Sequence, residues 1–203
     1  MLGANSRALE QRIFGRPAAW LVKHHVRANT VTVVGVAVQC AAALSLFPLG
    51  YLWQGAAVLA VLASADALDG TMARLSGTAS KWGAFLDSTL DRLADAAIFA
   101  GLTIYLARQE DFWGVVAGLA ALAAGSMVPY ARARAEAVGY QASVGIAERT
   151  DRLIVTLVAA GLTGFGLSPL VLVIALAVTA LASLVTVGQR MAAVHSQARA
   201  DQP

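Results

Sequence analysis

The stretch DALDGTMARLSGTASKWGAFLDSTLD, Asp66 to Asp91, places four carboxylates inside an otherwise apolar chain. On a helix, Asp66, Asp69, Gly70 and Ala73 fall at i, i+3, i+4 and i+7, and Gly83, Asp87 and Asp91 at i, i+4 and i+8, so each set occupies one face. Two such faces turned toward each other make a carboxylate-lined cleft. An ionised carboxylate at membrane depth costs roughly 2.5–3.5 kcal/mol on insertion scales unless it is paired or metal-bound, so the cluster marks a functional site.

Outward from this stretch, 58% of the 203 residues are hydrophobic and 13% are charged, a balance that only a lipid-embedded chain sustains. Apolar runs predict an all-α, integral membrane bundle of six transmembrane helices. They lie near Thr30–Phe47, Leu52–Met72, Gly83–Ala107, Phe112–Ala131, Arg152–Phe165 and Pro169–Gly188. Residues 1–28 are expected to form an interfacial segment. There Leu9, Ile13, Phe14, Trp20 and Leu21 recur at near-helical spacing among cations, and Pro17 starts a short helix. Residues 29–190 form the transmembrane domain and 191–203 a cytoplasmic tail.

A cytoplasmic N-terminus leaves Arg108 alone among the loop cations on the far side, so both termini and the carboxylate cleft are expected on the cytoplasmic face. The single Cys40 can form no intrachain disulfide and reads as a packing residue. Gly114, Gly118 and Gly125 read as a helix-packing seam, part of which could serve a dimer interface.

Clustered carboxylates without His or Cys suit Mg²⁺ or Mn²⁺ rather than zinc, and a pair of such ions clamps a phosphate or pyrophosphate. Gly70, Ala73 and Gly83 permit close backbone approach, and Arg74 adds a cation for phosphate oxygens. Arg132, Arg134, Arg149, Arg152 and Arg190 fall at cytoplasmic span ends. They either bind a phosphorylated acceptor or express the ordinary positive-inside excess. Asp95 continues the Asp87–Asp91 face and is either a supporting partner of the site or an ion-pair partner of Arg92. Intramembrane carboxylates also serve divalent-cation transporters, although no second acidic segment repeats the motif elsewhere in the chain.

The spacing D-x-x-D-G-x-x-A-R-x8-G-x-x-x-D-x-x-x-D resembles the signature of the CDP-alcohol phosphotransferase family at every fixed position. The segments 80–88, 130–136 and 145–152 are similar to the bacterial phosphatidylinositol phosphate synthases within it. The resemblance implies homodimeric six-helix subunits in the bacterial inner membrane that attack a CDP-linked lipid with an alcohol and release CMP. It implies that Asp66, Asp69, Asp87 and Asp91 ligate two Mg²⁺ or Mn²⁺ ions, with Asp91 as general base. CDP-diacylglycerol would be held by Asn29, Thr30, Val31, Thr32, Gly70, Arg74 and Ser80. Many relatives carry a proline before the Asn-x-x-Thr segment, where this chain has Ala28. The implied acceptor is an inositol phosphate bound by the five arginines, with glycerol 3-phosphate as the alternative, and no nucleic acid is expected.

Overall fold

The computed structural model describes residue 15 and residues 17–65, 71–73, 77 and 80–201. Among the described residues there are no strands. Six helices carry the fold: α1 (Ala28–Leu46), α2 (Leu52–Ala65), α3 (Lys81–Arg108), α4 (Phe112–Ala137), α5 (Arg149–Gly164) and α6 (Leu170–Ala200). They stand where the apolar runs place them, with three differences in length. The second, expected to run to Met72, is described to Ala65, and residues 66–70 lie outside the described residues. The fourth continues through Pro129 to Ala137, and the sixth continues to Ala200 through most of the segment expected as a tail. Residues 17–23 are also helical and residues 24–27 link them to α1, while residues 1–14 and 16 of the expected interfacial segment lie outside the described residues.

Local chemistry explains several boundaries. The Ser80 hydroxyl accepts the Gly83 N–H at 3.1 Å and starts α3. Asp111 accepts the Gly114 N–H at 2.8 Å and starts α4. At α5, the Glu148 N–H donates to Asp151 Oδ2 at 3.0 Å, part of a reciprocal capping box. Gly50 and Gly166, with φ of 85° and 102°, adopt the left-handed backbone that ends α1 and α5.

Helices α1, α4 and α6 are long and apolar enough to cross a membrane, and α2 is a shorter apolar helix. At about 1.5 Å per residue, 20 helical residues match a hydrocarbon core of about 30 Å. Large aliphatic side chains such as Val34, Val61, Ile174 and Leu181 point outward, which water would penalise and lipid does not. Exposed aromatics mark the start of α4 with Phe112 and Trp113, and Trp53 stacks on Phe165 at 5.6 Å, as in the aromatic belts of membrane proteins. The chain is a membrane protein. The other two helices differ: α3 carries Asp87, Asp91, Arg92 and Asp95 within its length, and α5 has 16 residues with charges in its first turn.

The chain divides into two compact units, Met1–Ala42 with Val58–Ala94, and Ala43–Ala57 with Asp95–Pro203. In the first, α1 lies against α3: Cys40 Sγ is 3.8 Å from Leu93 O, the packing role its isolation implies. In the second, α6 packs against α4 and α5 through a stripe that includes Leu172, Leu176, Thr179, Ser183 and Arg190. The glycine seam of α4 is used inside the chain. A Cβ on Gly118 would collide with Thr103 of α3, and one on Gly125 would touch Arg152 of α5.

Candidate active site

The first unit joins the start of α1 to the start of α3. Asn29, Thr30, Val31 and Thr32 form the opening turn of α1, where the Thr32 hydroxyl donates to Ala28 O at 3.2 Å. A Cβ placed on Gly83 would lie 3.3 Å from both Asn29 Oδ1 and Ser80 Oγ. Two residues expected to hold the nucleotide, Asn29 and Ser80, are therefore neighbours across a glycine that leaves them room. Helix starts also present unpaired N–H groups and a partial positive charge, the electrostatics that phosphate oxygens favour.

Asp87 and Asp91 follow Gly83 at one and two turns along α3. Asp87 is exposed. Asp91 is half-buried and accepts from Arg92 Nη2 at 3.3 Å, so Arg92, considered above as a partner of Asp95, pairs with Asp91. Asp66, Asp69, Gly70 and Arg74 lie outside the described residues. Among the described residues no three His, Cys, Asp or Glu side chains gather as a metal site. Asp87 and Asp91 contribute oxygen donors alone and share one helix face, a pair that fits a hard divalent cation.

The second unit collects the arginines differently from one another. Arg149 Nε donates to Asp95 Oδ1 at 2.9 Å, and Arg152 Nη2 stands 3.9 Å from Asp95 Oδ2. Asp95 thus pairs with these two arginines of α5. Arg152 is only 4% exposed and also donates to Ala147 O at 3.1 Å, which gives its buried charge both a counter-ion and a carbonyl. Arg190, equally buried, donates through Nε to Val144 O at 2.9 Å and through Nη1 to Val128 O. Arg132 forms an exposed i, i+4 pair with Glu136 at 2.9 Å, the behaviour of a surface cation. Arg134 is exposed and borders a cavity of about 540 Å³ between α4 and α6, whose walls also include Met127, Val187, Arg190, Met191 and His195. Those walls are chiefly aliphatic, so the cavity suits an apolar guest better than a polyol.

Reasoning from sequence did not find the partners of Arg190. They are backbone carbonyls, Val128 O and Val144 O, and no side-chain pattern announces a carbonyl that will face a guanidinium. Asp95 did carry a signal, its position one turn beyond Asp91, although its partners come from a helix distant in sequence.

Residues 25–188 match the family profile described as CDP-alcohol phosphatidyltransferase, which spans most of the chain. The chain belongs to that family. It is 42% identical over 204 aligned positions to the phosphatidylinositol phosphate synthase of Streptomyces avermitilis, covering 97% of this chain and 84% of the relative. It is 45% identical to that of Cutibacterium acnes, covering 86% and 88%. The structure superposes on the Mycobacterium tuberculosis phosphatidylinositol phosphate synthase with CDP-DAG bound with a TM-score of 0.87 and 38% identity, covering 90% of this chain and 94% of the other. The same synthase in complex with manganese and citrate gives a TM-score of 0.83 at 36% identity, covering 89% and 88%. The family resemblance carried by the signature is thereby borne out, and this chain is a phosphatidyltransferase of phospholipid synthesis rather than a cation transporter.

Proposed function

We propose that this chain transfers the phosphatidyl group of CDP-diacylglycerol to 1D-myo-inositol 3-phosphate, also written L-myo-inositol 1-phosphate, making phosphatidylinositol phosphate and CMP. The observation that carries this reading is the similarity to phosphatidylinositol phosphate synthases over nearly the whole length of both partners. Its support from charge is the set of arginines in the second unit. Guanidinium forks suit a phosphate monoester, whereas serine or another uncharged alcohol would not need them.

In balanced terms, an inositol hydroxyl oxygen forms a new bond to the phosphatidyl phosphorus. The bond from that phosphorus to the bridging oxygen breaks, CMP leaves with the electron pair, and the hydroxyl proton passes to a carboxylate. Asp91 is the proposed proton acceptor. Asp66, Asp69, Asp87 and Asp91 would hold two divalent ions, Mg²⁺ or Mn²⁺, whose chemistry is to offset pyrophosphate charge. A manganese complex of the M. tuberculosis relative supports divalent-metal use.

Asn29, Thr30, Val31, Thr32, Gly70, Arg74 and Ser80 are proposed to orient the CDP moiety, a role supported by the proximity of Asn29 and Ser80 to Gly83. Arg132, Arg134, Arg149, Arg152 and Arg190 are proposed to receive the acceptor's phosphate, with Arg149 and Arg152 best supported because Asp95 fixes them together. The enzyme is proposed to be a homodimer with six spans per subunit in the bacterial inner membrane. Its termini and active site face the cytoplasm, as the distribution of cations favours.

The test is CMP release by purified protein with CDP-diacylglycerol and Mg²⁺ or Mn²⁺, comparing inositol 1-phosphate, inositol, glycerol 3-phosphate and serine. Release with inositol 1-phosphate alone is expected. Release with glycerol 3-phosphate instead would move the enzyme to phosphatidylglycerophosphate synthesis.

A further inference from the structure

The segment between α4 and α5, residues 138–148, contains no regular secondary structure from Gln141 to Val144, so its backbone polar groups need partners from elsewhere. One stripe of α6 supplies them at successive heights. Thr186 Oγ1 accepts the Ala147 N–H at 3.1 Å, and Arg190 Nε donates to Val144 O at 2.9 Å. Gln197 closes a two-bond clamp on one residue: its Oε1 accepts the Gln141 N–H at 2.9 Å and its Nε2 donates to Gln141 O at 2.6 Å. Gly145, with φ of 149°, lies against Thr186 where a Cβ would collide with that side chain. Thr186, Arg190 and Gln197 are spaced i, i+4 and i+11, which keeps them on one helical face.

The clamped segment leads directly into the arginines. Ala147 O receives Arg152 Nη1, Glu148 caps α5, and Arg149 and Arg152 in the first turn of α5 meet Asp95. We infer that Gln197 is a positioning residue for the acceptor phosphate, acting through the 141–148 segment to set where Arg149 and Arg152 stand. Gln197 follows Arg190 by about 10 Å along the helix axis, at 1.5 Å per residue, and works on the segment's far end. A primary amide is required because Gln141 offers one donor and one acceptor; a carboxylate answers only the donor. The C-terminal part of α6 is thus a strut for substrate binding. This inference rests on the proposed acceptor role of Arg149 and Arg152.

The experiment measures KM for inositol 1-phosphate and for CDP-diacylglycerol on full-length Gln197→Ala, Gln197→Glu and Arg152→Ala. Gln197→Ala should raise the acceptor KM roughly five- to tenfold, the size that two neutral hydrogen bonds support, and leave the CDP-lipid KM within about twofold. Gln197→Glu, which keeps the bond from the Gln141 N–H, should give an intermediate rise, and it carries the test if Gln197→Ala does not fold. Amide exchange in residues 139–149 should accelerate in both Gln197 variants. An acceptor effect in Arg152→Ala without one in either folded Gln197 variant would overturn the strut alone. Parallel rises in both KM values, or unchanged exchange, would overturn it as well. An unchanged acceptor KM in Arg152→Ala would instead overturn the acceptor reading on which it rests.

Discussion

Asp95 and Arg149 form an ion pair of 2.9 Å that joins α3 to α5. Arg152 approaches the same carboxylate at 3.9 Å, so one acid balances two cations of the proposed acceptor site. The arrangement keeps the arginines extended and oriented before a phosphate arrives, which lowers the ordering cost of binding.

Asp95→Asn should weaken both the fold and the acceptor site. Removing one partner of a buried pair costs roughly 3–5 kcal/mol, and with Arg149 25% exposed the loss should be smaller, about 1–3 kcal/mol. Thermal unfolding in detergent reads the first effect, and the acceptor KM, expected to rise, reads the second. Unchanged stability would remove Asp95 from its supporting role.

Asp91→Asn should leave CDP-lipid binding in Mn²⁺ within a few-fold of the parent while turnover falls by roughly 10²-fold or more, the span of general-base catalysis. Titration of CDP-diacylglycerol beside a CMP-release assay separates the two. Full residual turnover would discard Asp91 as the base.

Gly83→Ala puts a methyl group 3.3 Å from Asn29 Oδ1 and Ser80 Oγ. The two polar side chains must move apart, so the CDP-lipid KM should rise several-fold with little change for the acceptor. A selective rise in acceptor KM would contradict the assignment of Asn29 and Ser80 to the nucleotide.

Gly101→Ala drives a Cβ into the carbonyl oxygen of Ala43, a backbone atom that cannot rotate aside. Overpacking of this kind costs roughly 1–3 kcal/mol and should lower the unfolding temperature in detergent. Gly188→Ala, with nothing within 4 Å of its Cβ, is the control and should not destabilise the protein.

The helices were legible because lipid selects long apolar runs, and α1 and α5 end at Gly50 and Gly166 in backbone conformations that other residues resist. The signature was legible because the spacing of Gly83, Asp87 and Asp91 puts them on one helix face, as their proposed action on one ligand requires. The continuation of α6 to Ala200 was not, since residues 191–200 leave the apolar pattern and are held by contacts such as Gln197 with Gln141. Nor could charge alone separate the surface pair Arg132–Glu136 from the buried Arg152, because both arginines lie near helix ends and differ only in what surrounds them.

Mass spectrometry of the lipid formed from CDP-diacylglycerol and inositol 1-phosphate tests the central claim most directly. The account predicts phosphatidylinositol phosphate and CMP in equal amounts, dependent on Mg²⁺ or Mn²⁺. Formation of no such lipid, with phosphatidylglycerophosphate accumulating when glycerol 3-phosphate is supplied, would contradict it.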